Sequence, residues 1–536
     1  MNAYTYPHPS QRRVTFGAKG MVATSQQLAA QAGLDILKQG GNAIDAAIAT
    51  AACLTVVEPC SNGIGGDAFA QVWTKDGLFG LNSTGGCPEM LTAQTLRDAG
   101  HKAVPRVGFS AQTVPGIPAA WAALSERFGR LPLSETLAPA IRYAADGFAV
   151  GPTVAQRWRD AAEQTYAPHR DKPEFAEWYR VFTDGGKAPQ AGDRWRLPDH
   201  AQTLAEIAAT GARSFYQGAL ADEIDRYMRA AGGYLRKSDF AAFAPEWVTP
   251  LTTAYRGYDI WELPPNGQGM IALMALNILN GMPLPASPDD PKSWHLQIEA
   301  LKLAATDAYH YIADPRAGMA VTPRQLLDAA YAAKRRALIS DRALLPAVGN
   351  PADGGTVYLC TADADGNMVS YIQSNYNGFG SGVVVPGTGI ALHNRGCGFN
   401  LEADSPNCLA PGKRPYHTII PGFISKDGQP VAPFGVMGAF MQPQGHLQVA
   451  LGLLEYHKNP QSALDAPRWF WTGARDVSLE HGVPLHIARA LDQMGHRISY
   501  SHDCTPFGRG QIIWRQPNGI YAGGTDPRCD GAVVAW

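Results

Sequence analysis

The chain has 536 residues, enough for one large α/β domain or for roughly two or three ordinary ones. Hydrophobic residues make up 45% of it, and 45 Lys and Arg residues against 47 Asp and Glu residues give a net charge of −2. This balance excludes the basic surface with which nucleic-acid-binding proteins displace counterions, so we expect no nucleic-acid partner.

The sequence also carries no sign of export, of a membrane span or of a zinc site. The first residues, M-N-A-Y-T-Y-P-H-P-S-Q-R-R, lack the apolar stretch of a secretory signal. The longest apolar run, residues 46–57, is shorter than the roughly 20 residues that cross a bilayer. The eight cysteines are scattered without the close pairs that bind zinc. We therefore expect a cytoplasmic protein with reduced cysteines, no membrane contact, no metal and no cofactor.

Two helices are predicted near the N-terminus. Ser25 is placed to cap the first of them, and the glycine pair at 40–41 ends it. Its apolar face is formed by Leu28, Ala32 and Ile36. An alanine-rich second helix is predicted after Asn42, through about residue 53. A later helix is predicted over 294–312.

A glycine-rich segment, S-N-G-I-G-G-D, follows the second helix at residues 61–67. Successive glycines free the backbone for a tight turn that exposes its amides. The same composition is equally typical of an ordinary turn, and both interpretations stay open on these residues alone.

The pattern becomes strand-like at Thr356. The run T-V-Y-L-C-T-A is β-branched and aromatic, D-A-D-G-N at residues 363–367 predicts a turn, and M-V-S-Y-I-Q predicts the returning strand. Thr356 thus stands at the first position of a hairpin strand, directly after Gly354 and Gly355. A chain cut before such a residue keeps its fold, because ladder hydrogen bonds hold the new end.

A threonine at a chain terminus has chemistry that an internal threonine lacks. If the bond between Gly355 and Thr356 is cleaved, Thr356 gains an α-amine whose ordinary pKa is about 7.7–8.0, close to working pH. That amine can accept the hydroxyl proton, so one residue supplies both the nucleophile and the base. The two preceding glycines give the backbone the freedom that an N→O acyl shift requires.

Ordered motifs accompany this threonine along the chain. They are G-G-N-A-I-D-A-A-I-A-T (40–50), E-P-C-S-N-G-I-G-G-D-A-F (58–69), T-V-P-G-I-P-A-A-W (113–121), L-P-P-N-G-Q-G (263–269), T-V-Y-L-C-T-A-D-A-D-G-N-M-V-S (356–370), P-G-K-R-P-Y-H-T-I-I-P (411–421), F-G-V-M-G-A-F-M-Q-P-Q-G-H (434–446), D-A-P-R (465–468) and G-G-T-D-P-R (523–528). With them the chain resembles the gamma-glutamyltranspeptidase family of N-terminal-nucleophile hydrolases.

The resemblance implies an α/β (α+β) fold, a four-layer αββα sandwich. It also implies a precursor that cleaves itself into a large subunit, residues 1–355, and a small subunit, residues 356–536, which stay associated as one fold. A dimer of such heterodimers is a further possibility that the resemblance leaves open.

The family's catalytic roles fall on four residues of this sequence. Thr356 matches the nucleophile, and Ser374 matches a hydroxyl residue that hydrogen-bonds the nucleophile and assists autocleavage. Gly438 and Ala439 match two glycines whose backbone amides form the oxyanion hole. Alanine at the second position keeps its amide, so the expected oxyanion hole is retained.

The residues that bind a glutamyl headgroup in the family are replaced. Thr84 stands where an arginine holds the substrate α-carboxylate, and Gly398 where an aspartate holds the α-amine. Tyr376 replaces an asparagine, and His417 and Thr418 replace a serine pair. Burying the two headgroup charges without partners costs several kcal/mol, roughly, so we expect a substrate that lacks this headgroup.

Arg395 remains as a candidate partner for a substrate anion through its planar fork, although a structural ion pair is its alternative role. The expected substrate-binding residues are therefore Arg395, Tyr376, His417 and Thr418. The pattern resembles a non-glutamyl branch of the family that includes oxamate amidohydrolase. We expect a small amide that bears a carboxylate, with oxamate favoured, and hydrolysis through an acyl-enzyme.

Three alternatives stay open on the sequence. The chain is a gamma-glutamyltransferase or glutathione hydrolase with a rearranged headgroup pocket, or an acylase of the glutaryl-cephalosporin type. The third alternative is an unprocessed, inactive relative that serves as a scaffold. Ala439 and the replaced headgroup-binding residues favour this alternative. The presence of the Thr356 and Ser374 hydroxyls argues against the scaffold alternative.

Overall fold

A computed structural model describes residues 8, 12–346 and 355–536. Gly354, which belongs to the predicted flexible approach to Thr356, lies outside these residues. Within the described ranges, no helix combines the length and the apolar character needed to cross a membrane.

The strands of the described chain have the following bounds. They are β1 (Thr15–Gly17), β2 (Gly20–Thr24), β3 (Asp67–Thr74), β4 (Gly77–Ser83), β5 (Phe148–Ala149), β6 (Arg194–Trp195), β7 (Glu246–Val248), β8 (Leu251–Tyr255), β9 (Tyr258–Glu262), β10 (Gly355–Asp363), β11 (Met368–Tyr376), β12 (Val384–Val385), β13 (Ile390–Ala391), β14 (Gly422–Lys426), β15 (Gln429–Met437), β16 (Trp469–Gly473), β17 (Asp476–Glu480), β18 (Arg497–Ser501), β19 (Arg509–Arg515), β20 (Tyr521–Thr525) and β21 (Ala532–Ala535).

The α-helices of the described chain have the bounds that follow. They are α1 (Gln27–Lys38), α2 (Ala43–Val57), α3 (Ala93–Asp98), α4 (Ile117–Phe128), α5 (Leu133–Asp146), α6 (Pro152–Asp160), α7 (Ala176–Phe182), α8 (Pro198–Thr210), α9 (Arg213–Gln217), α10 (Ala219–Ala231), α11 (Lys237–Ala241), α12 (Met270–Asn280), α13 (Pro291–Tyr311), α14 (Pro323–Leu326), α15 (Ala329–Arg336), α16 (Gln442–Leu454), α17 (Pro460–Asp465) and α18 (Leu485–Gln493).

Two seven-stranded sheets form the centre of the molecule. One has the order β21-β2-β10-β11-β3-β4-β7, and the other has the order β1-β20-β19-β15-β14-β9-β8. Helices α1 and α2 pack on the outer face of the first sheet, and helices α12 and α16 pack on the outer face of the second. The layers are therefore helix, sheet, sheet and helix, as the resemblance to the family implied.

Side chains along β10 alternate between the two faces of its sheet, as the period of a strand requires. Val357 and Leu359 join the core that faces α2. Tyr358 and Cys360 join the core between the sheets, and the Tyr358 ring lies against Gly435 of the opposite sheet. Thr356 is two residues before Tyr358, so it shares the face that looks into the sandwich.

The predicted N-terminal helices form with one correction. The side chain of Gln26, not of Ser25, caps α1 by accepting the amides of Leu28 and Ala29. The Ser25 hydroxyl instead donates to Glu58 across 2.6 Å. A hydroxyl at the end of β2 thus reaches the loop after α2, whereas the longer glutamine side chain turns back to the helix. Helix α2 extends to Val57, beyond the predicted end.

The predicted hairpin is confirmed, and it sits in the middle of its sheet. β10 pairs with β11 on one side and with β2 on the other, both antiparallel. The helix predicted over 294–312 is also confirmed, as α13, with Asp290 capping its first turn.

Candidate active site

Thr356 lies at the second position of β10 and only 1% of it is exposed. Its Oγ1 atom is 3.0 Å from the Oγ atom of Ser374 on the neighbouring strand β11. The register shifts between Gly355 and Val357, so Thr356 occupies an irregular position at the start of the ladder. A hydroxyl placed there has a hydroxyl partner within hydrogen-bond reach.

Ser374 connects the threonine to the end of β11. Its Oγ atom accepts the amide hydrogen of Tyr376 at 2.7 Å. Tyr376 has a positive φ of 74°, which turns the chain out of the strand at this residue. A bulky residue with positive φ is uncommon and marks a constrained turn. The Ser374 side chain therefore both contacts Thr356 and holds this turn.

The predicted oxyanion turn follows β15 directly. Gly438 has φ 143° and Ala439 has φ 47°, both in the region that favours glycine. Within the described parts of the chain, neither amide donates a hydrogen bond to a protein acceptor. Two adjacent amides in a strained turn without protein partners match the geometry that stabilises a developing oxyanion.

The expected substrate-binding residues come together in one buried cluster. Arg395 is fully buried, its Nη1 atom donates to Thr418 Oγ1 at 2.8 Å, and its guanidinium lies 4.3 Å from the centre of the Tyr376 ring. Its Nη2 atom has no hydrogen-bond partner among the residues that the structure describes. The Nη2 donors of the arginine fork are therefore left for a ligand.

Asp67 completes this cluster, although the sequence did not single it out. It is fully buried at the start of β3, where its backbone pairs with that of Ser374. Its Oδ2 atom is 2.6 Å from His417 Nε2 and 3.4 Å from Arg395 Nε. The arginine thus has an internal counter-ion, which is the structural role left open for it on the sequence.

Two histidines beside Asp67 have defined hydrogen-bonding patterns. His417 Nδ1 accepts the amide of Ile419 at 3.2 Å, so its Nε2 atom carries the hydrogen donated to Asp67. His393 Nδ1 accepts the amide of Arg395 at 3.3 Å, and its Nε2 atom donates to the carbonyl of Thr113 at 3.0 Å. Both rings are neutral in this arrangement, since protonation of Nδ1 displaces an amide donor.

The pKa values follow from burial and from these contacts. Burial opposes ionisation of Asp67, but the hydrogen bond from His417 and the charge of Arg395 outweigh it and hold the pKa of Asp67 below its ordinary value. Burial, with Arg395 adding to it, lowers the pKa of His417 to about 4. At neutral pH the cluster therefore contains one carboxylate and one guanidinium, and no net charge.

Gln268 links the oxyanion turn to this cluster. Its Nε2 atom donates to the carbonyls of Thr418 and Ala439, at 2.8 Å each. The side-chain oxygen accepts from the Tyr416 hydroxyl at 3.1 Å. A single buried amide thereby fixes the spacing between the Arg395 cluster and the Gly438–Ala439 turn.

The positions of the two replaced headgroup residues agree with their loss. Thr84 is buried and its hydroxyl donates to Asn82 at 2.8 Å. At Gly398 a Cβ atom would lie 2.4 Å from the carbonyl oxygen of Tyr416, so an aspartate does not fit. The local backbone therefore excludes an acidic side chain at this one position.

The sequence interpretation found Arg395, Tyr376, His417 and Thr418 but missed Asp67, His393 and Gln268. An acid that directly follows a glycine turn and opens a strand was the available signal for Asp67. Its contact with His417 joins positions 350 residues apart, which no local pattern reveals.

One buried group has the residue types of a metal site. His295, Glu299 and His496 bring their ligand atoms within 4.8 Å of one another. The Lys302 ammonium lies 2.5 Å from Glu299, and His295 contacts both His496 Nε2, at 2.9 Å, and the carbonyl of Ser340, at 2.7 Å. Glu299 thus already has a cation beside it, and the two histidines bond to each other, so these contacts form without a metal ion.

Comparisons with known proteins agree with this geometry. The family model for gamma-glutamyltranspeptidase matches residues 29–536. The glutathione hydrolase-like YwrD proenzyme of Bacillus subtilis is 36% identical over 528 residues, covering 97% of this chain and 98% of that protein. The oxamate amidohydrolase proenzyme of Klebsiella pneumoniae is 34% identical over 531 residues, covering 96% of this chain and 98% of that protein.

Among solved structures, a cephalosporin acylase from Bacillus halodurans superposes with a TM-score of 0.96 at 53% sequence identity, covering 100% of this chain and 99% of that one. The four-layer fold and these likenesses define an N-terminal-nucleophile hydrolase, an enzyme that acts on amide C–N bonds. Within that class, the chain belongs to the gamma-glutamyltranspeptidase family.

Proposed function

We propose that this protein cleaves itself between Gly355 and Thr356, and that Thr356 then hydrolyses amides whose acyl part bears a carboxylate. The contact between Thr356 Oγ1 and Ser374 Oγ, at 3.0 Å, carries the proposal. The freed α-amine of Thr356 supplies the base, and the amides of Gly438 and Ala439 bind the oxyanion. Ser374 holds the nucleophile during both reactions.

The two pieces, residues 1–355 and 356–536, are held together by the sheets after cleavage. β10 of the small piece pairs with β2 of the large piece, and β11 pairs with β3. In the second sheet, β14 pairs with β9. Dissociation would break ladders in both sheets and expose the core between them, so the pieces stay associated.

The substrate class follows from Arg395. Its Nη2 atom has no partner among the described residues, and at Gly398 the backbone leaves no room for an aspartate. A substrate carboxylate would accept from Nη2 beside the Thr418 hydroxyl. Because Asp67 already pairs with Arg395, the gain in binding is about tenfold, the lower end of the range for charged hydrogen bonds.

Oxamate is the smallest substrate of this class and the one that the sequence favours, and an oxamate amidohydrolase is among the relatives. Acylation of Thr356 by oxamate breaks its amide bond and releases ammonia, and water then releases oxalate. A longer dicarboxylic monoamide, of the glutaryl type, is the second candidate. The 53% identity with a cephalosporin acylase favours it.

The test is a series of amides measured with the processed enzyme. Ammonia release is followed from oxamate, and anilide hydrolysis is followed with oxalyl, succinyl, glutaryl and γ-glutamyl groups. We expect the ω-carboxyacyl amides to exceed the γ-glutamyl anilide and glutathione in kcat/KM. Arg395→Lys should raise KM for the carboxylate substrates about tenfold and leave a neutral acetyl anilide unaffected.

Two results would count against the proposal. Efficient cleavage of glutathione with no turnover of the ω-carboxyacyl amides would restore the glutamyl alternative. A purified protein that runs as one chain in denaturing electrophoresis, with no activity on any of these amides, would support the scaffold alternative.

A further inference from the structure

A second charged cavity lies beside the oxyanion turn. It has a volume of about 150 Å³, and Met437 and Gly438 line it together with Arg509, Arg157, Asp503 and Thr505. Within the described residues, none of Arg395, Tyr376 and Thr418 lines this cavity. This cavity is therefore distinct from the Arg395 cluster, and Gly438 forms part of the cavity wall.

Arg509 is a buried cationic residue in the wall of this cavity. The residue is 2% exposed, and its nearest acidic neighbour is Glu58, with Nη1 3.7 Å from Oε1. That separation is longer than a hydrogen bond. Glu58 accepts instead from Ser25 at 2.6 Å. Among the described residues, no acceptor takes a hydrogen bond from the Arg509 guanidinium, so a buried, charged fork is left with donors to spare.

A larger cavity shares part of this wall. A space of about 680 Å³ also has Arg157 and Thr505 in its wall, and Arg106 lines it as well. Small-molecule sites typically occupy about 300–1,000 Å³. The larger space thus has room for an organic group, and Arg157 lines both spaces.

We propose that the Arg509–Arg157 cavity binds the amine side of the substrate, and that it selects leaving groups that carry a carboxylate. The inference rests on the proposed function. With the carbonyl oxygen at the Gly438 amide and the acyl carboxylate at Arg395, the amide nitrogen must direct its substituent away from both. The cavity beyond Gly438 receives that substituent, and Arg509 meets its carboxylate.

Among the described residues that line the smaller cavity, Asp503 is the one acidic side chain. It is exposed, and one of its oxygens already accepts the Thr505 amide at 2.8 Å. Its charge opposes a bound anion at the mouth of the cavity. Replacing it by asparagine keeps an oxygen acceptor and removes the charge, which should strengthen the selection.

Two anilides with the same acyl group test the proposal, one plain and one with a carboxylate on the ring. The acyl group is the one that the processed enzyme accepts best in the series above. We expect kcat/KM for the carboxylated anilide to exceed that for the plain one by about tenfold in the wild type. Asp503→Asn should increase this ratio.

Arg509→Gln should bring the ratio close to one, mainly through KM for the carboxylated anilide. Arg157→Gln, on the less buried side, should reduce the ratio without the risk to folding that a buried position carries. Arg515→Gln, at the other end of β19 and outside both cavities, is the matched control and should keep the wild-type ratio.

The outcomes separate this proposal from the proposed function. Hydrolysis of both anilides at equal kcat/KM by the wild type would overturn the selection alone. A ratio that both Arg509→Gln and Arg157→Gln leave unchanged would do the same. If the processed enzyme hydrolyses neither anilide, nor any member of the acyl series, both proposals fail together.

Discussion

His417 Nε2 lies 2.6 Å from Asp67 Oδ2, so this histidine and the first residue of β3 form a buried hydrogen bond. The same carboxylate oxygen is 3.4 Å from Arg395 Nε. Asp67 thereby neutralises the arginine and orients the histidine. This internal carboxylate limits how strongly the arginine attracts a substrate anion. It also couples Arg395 to His417, because both contact the same oxygen.

Asp67→Asn should destabilise the protein by about 3–5 kcal/mol, because it leaves the buried Arg395 without a counter-ion. The asparagine oxygen still accepts from His417, so the loss reports mainly on the charge. Chemical denaturation of the variant and the wild type at pH 7 measures it.

The double variant Asp67→Asn/Arg395→Met is the control. Removing both charges should recover part of the lost stability, since no uncompensated ion is then buried. A double variant as unstable as the sum of the two single variants would show that the charges are not coupled.

Stability should fall as the pH is lowered from about 6.5 to 4. The pKa of His417 is lowered to about 4 by burial and by Arg395, and the unfolded value is about 6.5. Over this window the unfolded chain binds a proton that the folded ring refuses, so unfolding is favoured as pH falls. One such histidine accounts for about 3 kcal/mol.

His8 and His200 also have pKa values lowered to about 4, His496 has one lowered to about 3, and burial lowers the pKa of His393, so these histidines share the effect with His417. His417→Gln should remove one proton from the pH dependence of stability while its amide still reaches Asp67. The measurement is the thermal midpoint of both proteins between pH 4 and 7. Parallel curves for the two proteins would contradict the assignment.

Ser374→Ala should slow both self-cleavage and amide hydrolysis by about tenfold, because it removes the hydroxyl 3.0 Å from Thr356 Oγ1. Ser374→Thr keeps a hydroxyl and should retain part of both rates. Ser370→Ala is the matched control on the same strand face, where the hydroxyl contacts Tyr358 instead.

Processing is followed by denaturing electrophoresis, with N-terminal sequencing of the smaller piece expected to read T-V-Y-L-C. The Thr356→Ala variant should remain a single chain, and the Thr356→Ser variant should still cleave itself into two pieces. Cleavage of Thr356→Ala at the same bond would rule out the threonine as the internal nucleophile.

Local patterns were sufficient for the elements that position the nucleophile. The β-branched run after Gly355 and the turn at residues 363–367 predicted the hairpin, and alternating side chains place Thr356 inside the sandwich. The helix cap was wrong by one residue, because the Ser25 hydroxyl binds Glu58 instead of the helix amides.

The headgroup cluster was only half predictable. Arg395 was recognised by its charge beside a lost acidic position, but its neutralisation by Asp67 depends on the pairing of β3 with β11. Hydrophobic patterning indicates which segments are strands, and it does not give the register between strands that lie 300 residues apart. The Arg509 cavity was missed for the same reason, since it joins the ends of β15 and β19 with α6.

Ala439 has a φ of 47°, which lies in the left-handed region. Alanine there has a conformational cost of about 1 kcal/mol that glycine lacks, while glycine loses about 0.5–1 kcal/mol more through its unfolded-state entropy. Ala439→Gly should therefore change stability by less than about 1 kcal/mol and keep kcat, since its amide and the bond from Gln268 to its carbonyl remain.

Ala439→Val keeps the same amide but disfavours the required φ, since a β-branched residue rarely adopts it. Moving the turn shifts the oxyanion donors relative to Thr356, so kcat should fall about tenfold or more with little change in KM. The measurement is steady-state kinetics of both variants on one amide, after electrophoresis has established that each has divided. If valine is tolerated with an unchanged kcat, the amides of this turn do not bind the oxyanion, and the donors must be sought elsewhere around Thr356.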